Sequence, residues 1–151
     1  MYDLDNSKYA KRAMELFRAG YNCSQSLLGA FAGDFNIDLS FALKLSSGFG
    51  GGMGRLRETC GAVTGGIMVL SLKYGYCHVD AYDEKSKLYK IVQDFVADFK
   101  SELGTSICRE LLNTTDNNPV PTKRTDDFYL KRPCANYIGI GACIVERYLN
   151  L

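Results

Sequence analysis

The chain predicts an all-α fold, a single-domain bundle of about five to seven helices spanning residues 1–151, with a glycine-rich connection and one long loop. Two observations carry that prediction. All three prolines fall at 119, 121 and 133, so the first 118 residues contain none, and strand-like alternation is rare there. Apolar residues instead recur three and four apart over several long stretches.

The first helix is expected over roughly residues 4–19, where Tyr9, Ala13, Leu16 and Phe17 share a face. Gly20-Tyr21-Asn22 breaks it. Asn22 is a good N-cap for a second helix, Cys23 to Ala32, which puts Cys23 in a first turn. Ser40 opens a third helix that ends at Gly48. After the glycine-rich run, Glu58 and Thr59 begin a fourth, closed by Gly75 after Tyr74. The fifth opens near Asp80 and ends at Gly104, with Leu88, Ile91, Val92, Phe95, Val96, Phe99 and Leu103 as its apolar stripe. Thr105 or Ser106 caps a short sixth helix that contains Cys108 a few residues in. Residues 113–133 are polar, proline-bearing and aperiodic, a loop of a length that usually serves function or motion. Pro133 stands at the start of a last helix running to about Tyr148, with Cys134 in its first turn.

Composition excludes several function classes. A net charge of +1 gives no footprint for nucleic acid or an anionic membrane surface. The longest apolar run, Ala62 to Leu72, is too short for membrane insertion. The start, Met1-Tyr2-Asp3-Leu4-Asp5, does not read as a signal peptide, so a cytoplasmic location is expected. Asp83-Glu84 and Asp126-Asp127 read as solvated surface.

Six cysteines, at 23, 60, 77, 108, 134 and 143, are many for a reducing compartment. They are spread along the whole chain, and no Cys-x-x-Cys occurs, so any thiol pair or ligand set must be assembled by the fold. The plainer role for any one of them is a small buried apolar residue. Cys23, Cys60 and Cys134 each fall in or beside an expected first helical turn, where backbone N–H groups favour thiolate. His78 is the single histidine, which rules out a multi-histidine metal site.

Eight of the fifteen glycines lie between Gly48 and Gly66. Gly51, Gly52 and Gly54 with Arg55 and Arg57 suit an anionic ligand or cofactor cradled at a helix start, or a tight strained connection between helices. The run is neither a dinucleotide fingerprint nor a phosphate loop, because no strand precedes it and no Gly-Lys-Ser/Thr ends it. Gly61, Gly65 and Gly66 lie inside the fourth helix, where each costs about 1 kcal/mol against alanine; close helix packing is the favoured reason.

Asn22-Cys23-Ser24-Gln25, Gly51-Gly52-Met53-Gly54, Cys60-Gly61-Ala62-x-x-Gly65 and the later Cys108 and Cys134 together resemble the redox-active C_GCAxxG_C_C family, over about residues 8–149. The family label writes glycine before cysteine, where this chain reads Cys60-Gly61. The resemblance implies that Cys23, Cys60, Cys108 and Cys134 are the four characteristic cysteines of a small, mostly helical, cytoplasmic protein. It leaves Cys77 and Cys143 without a role.

Two readings follow. In the first, the four cysteines perform dithiol/disulfide chemistry as in a thiol-disulfide oxidoreductase and need no cofactor. Cys60 is then the expected nucleophile, with Cys23 as its partner and Cys108 and Cys134 as a second pair. In the second, Cys23, Cys60, Cys108 and Cys134 hold zinc or an iron–sulfur cluster in an electron-transfer protein. Either way the partner is a redox protein or a small molecule, and the long fifth helix has apolar surface enough for a homodimer seam.

Overall fold

The computed structural model describes residues 1–151, and its regular structure is all helical apart from one isolated β-bridge. Helix α1 (Lys8–Arg18) starts later than the periodicity suggests, because the Ser7 hydroxyl accepts the Ala10 N–H and fixes the first turn. Helix α2 (Cys23–Phe31) opens with a reciprocal capping box: the Asn22 side chain accepts the Gln25 N–H, and the Gln25 side chain accepts the Asn22 N–H. Asp38 caps α3 (Leu39–Ser46), one residue ahead of the expected Ser40 start.

The glycine-rich run forms one turn, α4 (Gly50–Met53), whose conformation changes hand. Gly51, Gly52, Met53, Gly54 and Arg55 all have positive φ, between 59° and 71°, and Arg57 follows at 61°. For Met53, Arg55 and Arg57 this conformation costs roughly 1–2 kcal/mol each. The strained-connection reading of the run therefore holds.

Helix α5 (Gly61–Tyr74) starts with Cys60 as its N-cap residue. Glu58 and Thr59, expected inside the helix, lie before it, where Thr59 forms an antiparallel bridge with Ile107. Helix α6 (Tyr82–Leu103) buries Leu88, Phe95 and Phe99 from its expected stripe, while Ile91, Val92, Val96 and Leu103 stay half-buried at its edge. Helix α7 (Cys108–Leu111) has Cys108 as its first residue rather than further in. The expected structureless loop contains a further helix, α8 (Asp126–Lys131), capped by the Thr125 hydroxyl. Helix α9 (Cys134–Leu149) closes the chain.

Helices α1, α2, α5 and α9 pack in a closed ring, each against the next. Helix α6 lies outside it against α5 and α9, and α3 lies beside α2. The core of 24 buried residues includes Phe17, Leu27, Phe31, Phe95, Phe99, Ile138 and Ile144, each worth about 1.5–3 kcal/mol by burial. The α5 glycines permit this close ring. A Cβ on Gly61 would lie 2.7 Å from the Cys23 Cβ and 2.8 Å from the Ser24 N, and one on Gly66 would lie 2.5 Å from the Phe95 ring. Helix-on-helix packing is thus their role. As a result, α2, α5 and α9 all begin near Phe17, toward the C-terminal end of α1, and a cavity opens there.

Candidate functional site

That cavity, of about 290 Å³, is lined by Cys23, Cys60, Cys108 and Cys134. Each sits at a helix start: Cys60 is the N-cap residue of α5, and the other three are the first residues of α2, α7 and α9. Cys23 is half-buried, and the other three are between 5% and 7% exposed. All four are free thiols. Cys77 is exposed beyond α5, and Cys143 is buried in α9 away from the cavity. His78 is exposed and also outside it.

Different contacts hold the four thiols. Cys60 and Cys108 are held by the backbone around the bridge: the Cys60 N–H donates to the Ser106 carbonyl at 2.8 Å and the Cys108 N–H to the Glu58 carbonyl at 2.6 Å. Each is one residue past a bridged position, so both side chains leave the short ribbon on the same face. Cys23 and Cys134 interact directly through their thiols, which raises Cys23 and lowers Cys134. The thiol interaction found, between Cys23 and Cys134, joins one member of each expected pair, Cys60 with Cys23 and Cys108 with Cys134.

The electrostatics separate the four. The hydrogen bond from Cys23 lowers the Cys134 thiol to about 7, against burial and with help from the Arg132 and Arg124 guanidinium groups. The same hydrogen bond, then burial, raises Cys23 well above the ordinary thiol value. Burial raises Cys108, partly offset by Arg57, whose Nη1 donates to the Cys108 sulfur at 3.7 Å. Burial pushes Cys60 up to about 12. The Ala62 and Val63 N–H groups face its sulfur and favour thiolate, without closing a capping hydrogen bond. The expectation of Cys60 as the low-pKa thiol is therefore corrected. Its glycines pack against α2 instead of opening it to solvent, and its two expected arginines act elsewhere.

Arg57 serves Cys108, and Arg55 fastens the 113–133 loop through the Val120 carbonyl and Asp116. The glycine run lines the cavity at Gly51, Gly52 and Gly54, but the N–H groups of residues 54–58 are bonded within the run itself. Gly52 has a positional reason: at φ +71°, a Cβ there would lie 2.6 Å from the Cys108 Cβ and 2.6 Å from the Glu58 N.

The sequence reading missed Arg124, Arg132 and Tyr137, which also line the cavity. Arg132 stands two residues before Cys134, a local signal that was available. Arg124 lies in the polar loop and carries none; it reaches the site because its guanidinium donates to the Phe17 and Tyr21 carbonyls and covers the Phe17 ring at 4.4 Å.

No three of the chain's Cys, His, Asp and Glu side chains come together as a ligand set for a metal ion. The four thiols share a cavity without being gathered as such a ligand set. No helix is long and apolar enough to cross a membrane. No curated protein and no solved structure matches the chain. One family model does, described as "Putative redox-active protein (C_GCAxxG_C_C)", over residues 21–148. That span holds all four cavity cysteines and the glycine run, and the chain belongs to this redox-active family.

Proposed function

We propose that the protein carries out thiol–disulfide exchange, with Cys134 as the attacking thiolate and Cys23 as the resolving thiol. The observation that carries this reading is the Cys23–Cys134 thiol pair, set at two adjoining helix starts on an arginine-lined cavity. A thiolate at a helix N-terminus beside Arg132 is the species that attacks disulfides.

The exchange balances as follows. The Cys134 thiolate attacks one sulfur of a substrate disulfide, forming a mixed disulfide and expelling the other half as a thiolate. Cys23 then gives up its proton, and its sulfur attacks the Cys134 sulfur, forming the Cys23–Cys134 disulfide. The second substrate half leaves as a thiolate and takes up the Cys23 proton. Two electrons pass from the protein dithiol to the substrate, which ends as one thiolate and one thiol, the thiolate taking its proton from water. Burial pushes Cys60 up to about 12 and raises Cys108, so neither is favoured as the attacking thiolate.

The test is peptide mapping after reaction of the reduced protein with a neutral disulfide such as hydroxyethyl disulfide. A Cys23–Cys134 bridge is expected in the native chain, and a mixed disulfide trapped on Cys134 in Cys23→Ser. Unchanged consumption of the disulfide by Cys134→Ser would overturn the assignment. So would stoichiometric metal with visible absorbance in protein purified without oxygen, which would restore the ligand role of the four thiols.

A further inference from the structure

The cavity around the thiol pair is strongly one-sided in charge. Arg55, Arg57, Arg124 and Arg132 line it, and no aspartate or glutamate does. Arg55 alone has a carboxylate partner, Asp116 at 3.3 Å. Arg57 is only 3% exposed, and its hydrogen bonds go to the Asp116 carbonyl at 2.9 Å and the Cys108 sulfur at 3.7 Å. A buried guanidinium with no carboxylate is costly unless an anion reaches it. Arg124 is held by carbonyls, which satisfy its donors without neutralising its charge. Arg132 stacks on Phe128 at 4.7 Å and has no ion-pair partner. One Cys134 thiolate does not balance this set.

A second cavity, of about 200 Å³, shares Arg55, Arg57 and Arg132 with the first and adds Lys131. Its one carboxylate is the Asp116 already paired to Arg55. The positive lining therefore continues away from the thiols through Arg57 and Arg132, while Lys131 is paired with Asp127 at 3.2 Å.

We propose that the disulfide exchanged at Cys134 is a small molecule bearing carboxylate groups, held through Arg57 and Arg132. This rests on the exchange reading above. Guanidinium offers paired donors that match a carboxylate's two oxygens, and a cavity of about 290 Å³ suits a compact molecule rather than a protein segment. The proposal makes a demanding prediction, because free thiolates show the opposite preference. In water a thiolate repels an anionic disulfide and attracts a cationic one.

Three disulfides of similar length separate the cases: dithiodipropionate, a dianion; hydroxyethyl disulfide, neutral; and cystamine, a dication. The readout is the rate of disulfide formation at Cys134 near neutral pH. The expected order is dianion, neutral, dication, with the dianion about tenfold ahead of the neutral probe and the lead shrinking as salt rises. Arg132→Gln lowers the dianion-to-neutral ratio several-fold. Using the ratio removes its effect on the thiolate itself, which both probes share. Arg57→Gln does the same where the variant keeps its native melting transition, and Arg132→Gln decides alone where it does not. A dianion no faster than the neutral probe overturns the carboxylate inference and leaves exchange intact. Failure of all three at a Cys134 that iodoacetamide still labels overturns the exchange reading instead.

Discussion

Replacing Cys23 by alanine tests the centre of the site, because the Cys23 thiol is the largest cause of the lowered Cys134. Without that donor, burial and two arginines remain, and Cys134 moves back toward the ordinary thiol value of 9.0. At pH 7 a thiol titrating near 7 is about half thiolate, and one near 9 is about one per cent thiolate, a roughly fifty-fold loss of the reactive form. The remaining thiolate is more basic and more nucleophilic; with a Brønsted slope of about 0.4–0.5, two units return roughly eight-fold. The net effect is exchange about six-fold slower at pH 7 and about seven-fold faster above pH 10, with the two pH–rate curves crossing near pH 8. The sign is fixed: a lowered thiol gains reactivity at neutral pH and gives up nucleophilicity at high pH. The assay follows the first mixed disulfide on the Cys134 peptide with hydroxyethyl disulfide, which carries no charge for the arginines to read. A Cys23→Ala profile that keeps its midpoint at about 7 and never crosses the parent curve would refute the hydrogen bond as the cause.

Cys60→Ser is expected to leave the exchange rate at Cys134 within about twofold. A thiol pushed up to about 12 supplies only on the order of one thiolate in 100,000 at pH 7; a large loss of rate, measured by the same peptide assay, would return the attacking role to Cys60. Gly61→Ala drives a Cβ to 2.8 Å from the Ser24 backbone N, an atom that cannot swing aside. Overpacking of this kind costs about 1–3 kcal/mol and lowers the melting temperature by roughly 2–4 °C per kcal/mol in a chain of this size. Calorimetry showing an unchanged transition would mean that α2 and α5 are not held at this separation.

The helices with strong local signals were legible in the sequence. Asn22 and Gln25 announce the start of α2, Gly104 announces the end of α6, and the Leu88, Phe95 and Phe99 spacing marks its buried face. What was not legible depends on contacts distant in sequence. Thr59 pairs with Ile107, 48 residues away, and that bridge moves the start of α5 to Gly61 and fixes Cys108 as the first residue of α7. Helix α8 lies in a proline-bearing segment with no apolar period, where the Thr125 cap and the charges of Asp126, Asp127 and Lys131 are its local signs. The gathering of the four cysteines into one cavity was expected from their helix starts, and they do line one. Their pairing was not readable, since nothing near Cys23 in the chain points to Cys134.

The four helix starts explain why these thiols meet, but not what distinguishes them. A helix N-terminus contributes typically 0.3–1 kcal/mol to a nearby anion, which is less than one pKa unit. All four cysteines have that environment, so it cannot separate one near 7 from one near 12. The roughly three-unit rise at Cys60 corresponds to about 4 kcal/mol, several times the helix contribution, and burial is its first cause. The two-unit fall at Cys134 needs a donor thiol and two arginines from the 113–133 segment acting against burial. Reactivity in this cavity is therefore set first by the Cys23 thiol at Cys134, with the arginine-bearing segment adding to it. Arg132 and Arg124 reach Cys134, Arg57 reaches Cys108 with less effect, and Cys60 has only backbone N–H groups. The aperiodic stretch, the least structured part of the chain by sequence, thus adds its arginines to the one thiol that Cys23 already lowers, among four cysteines that the helices place alike.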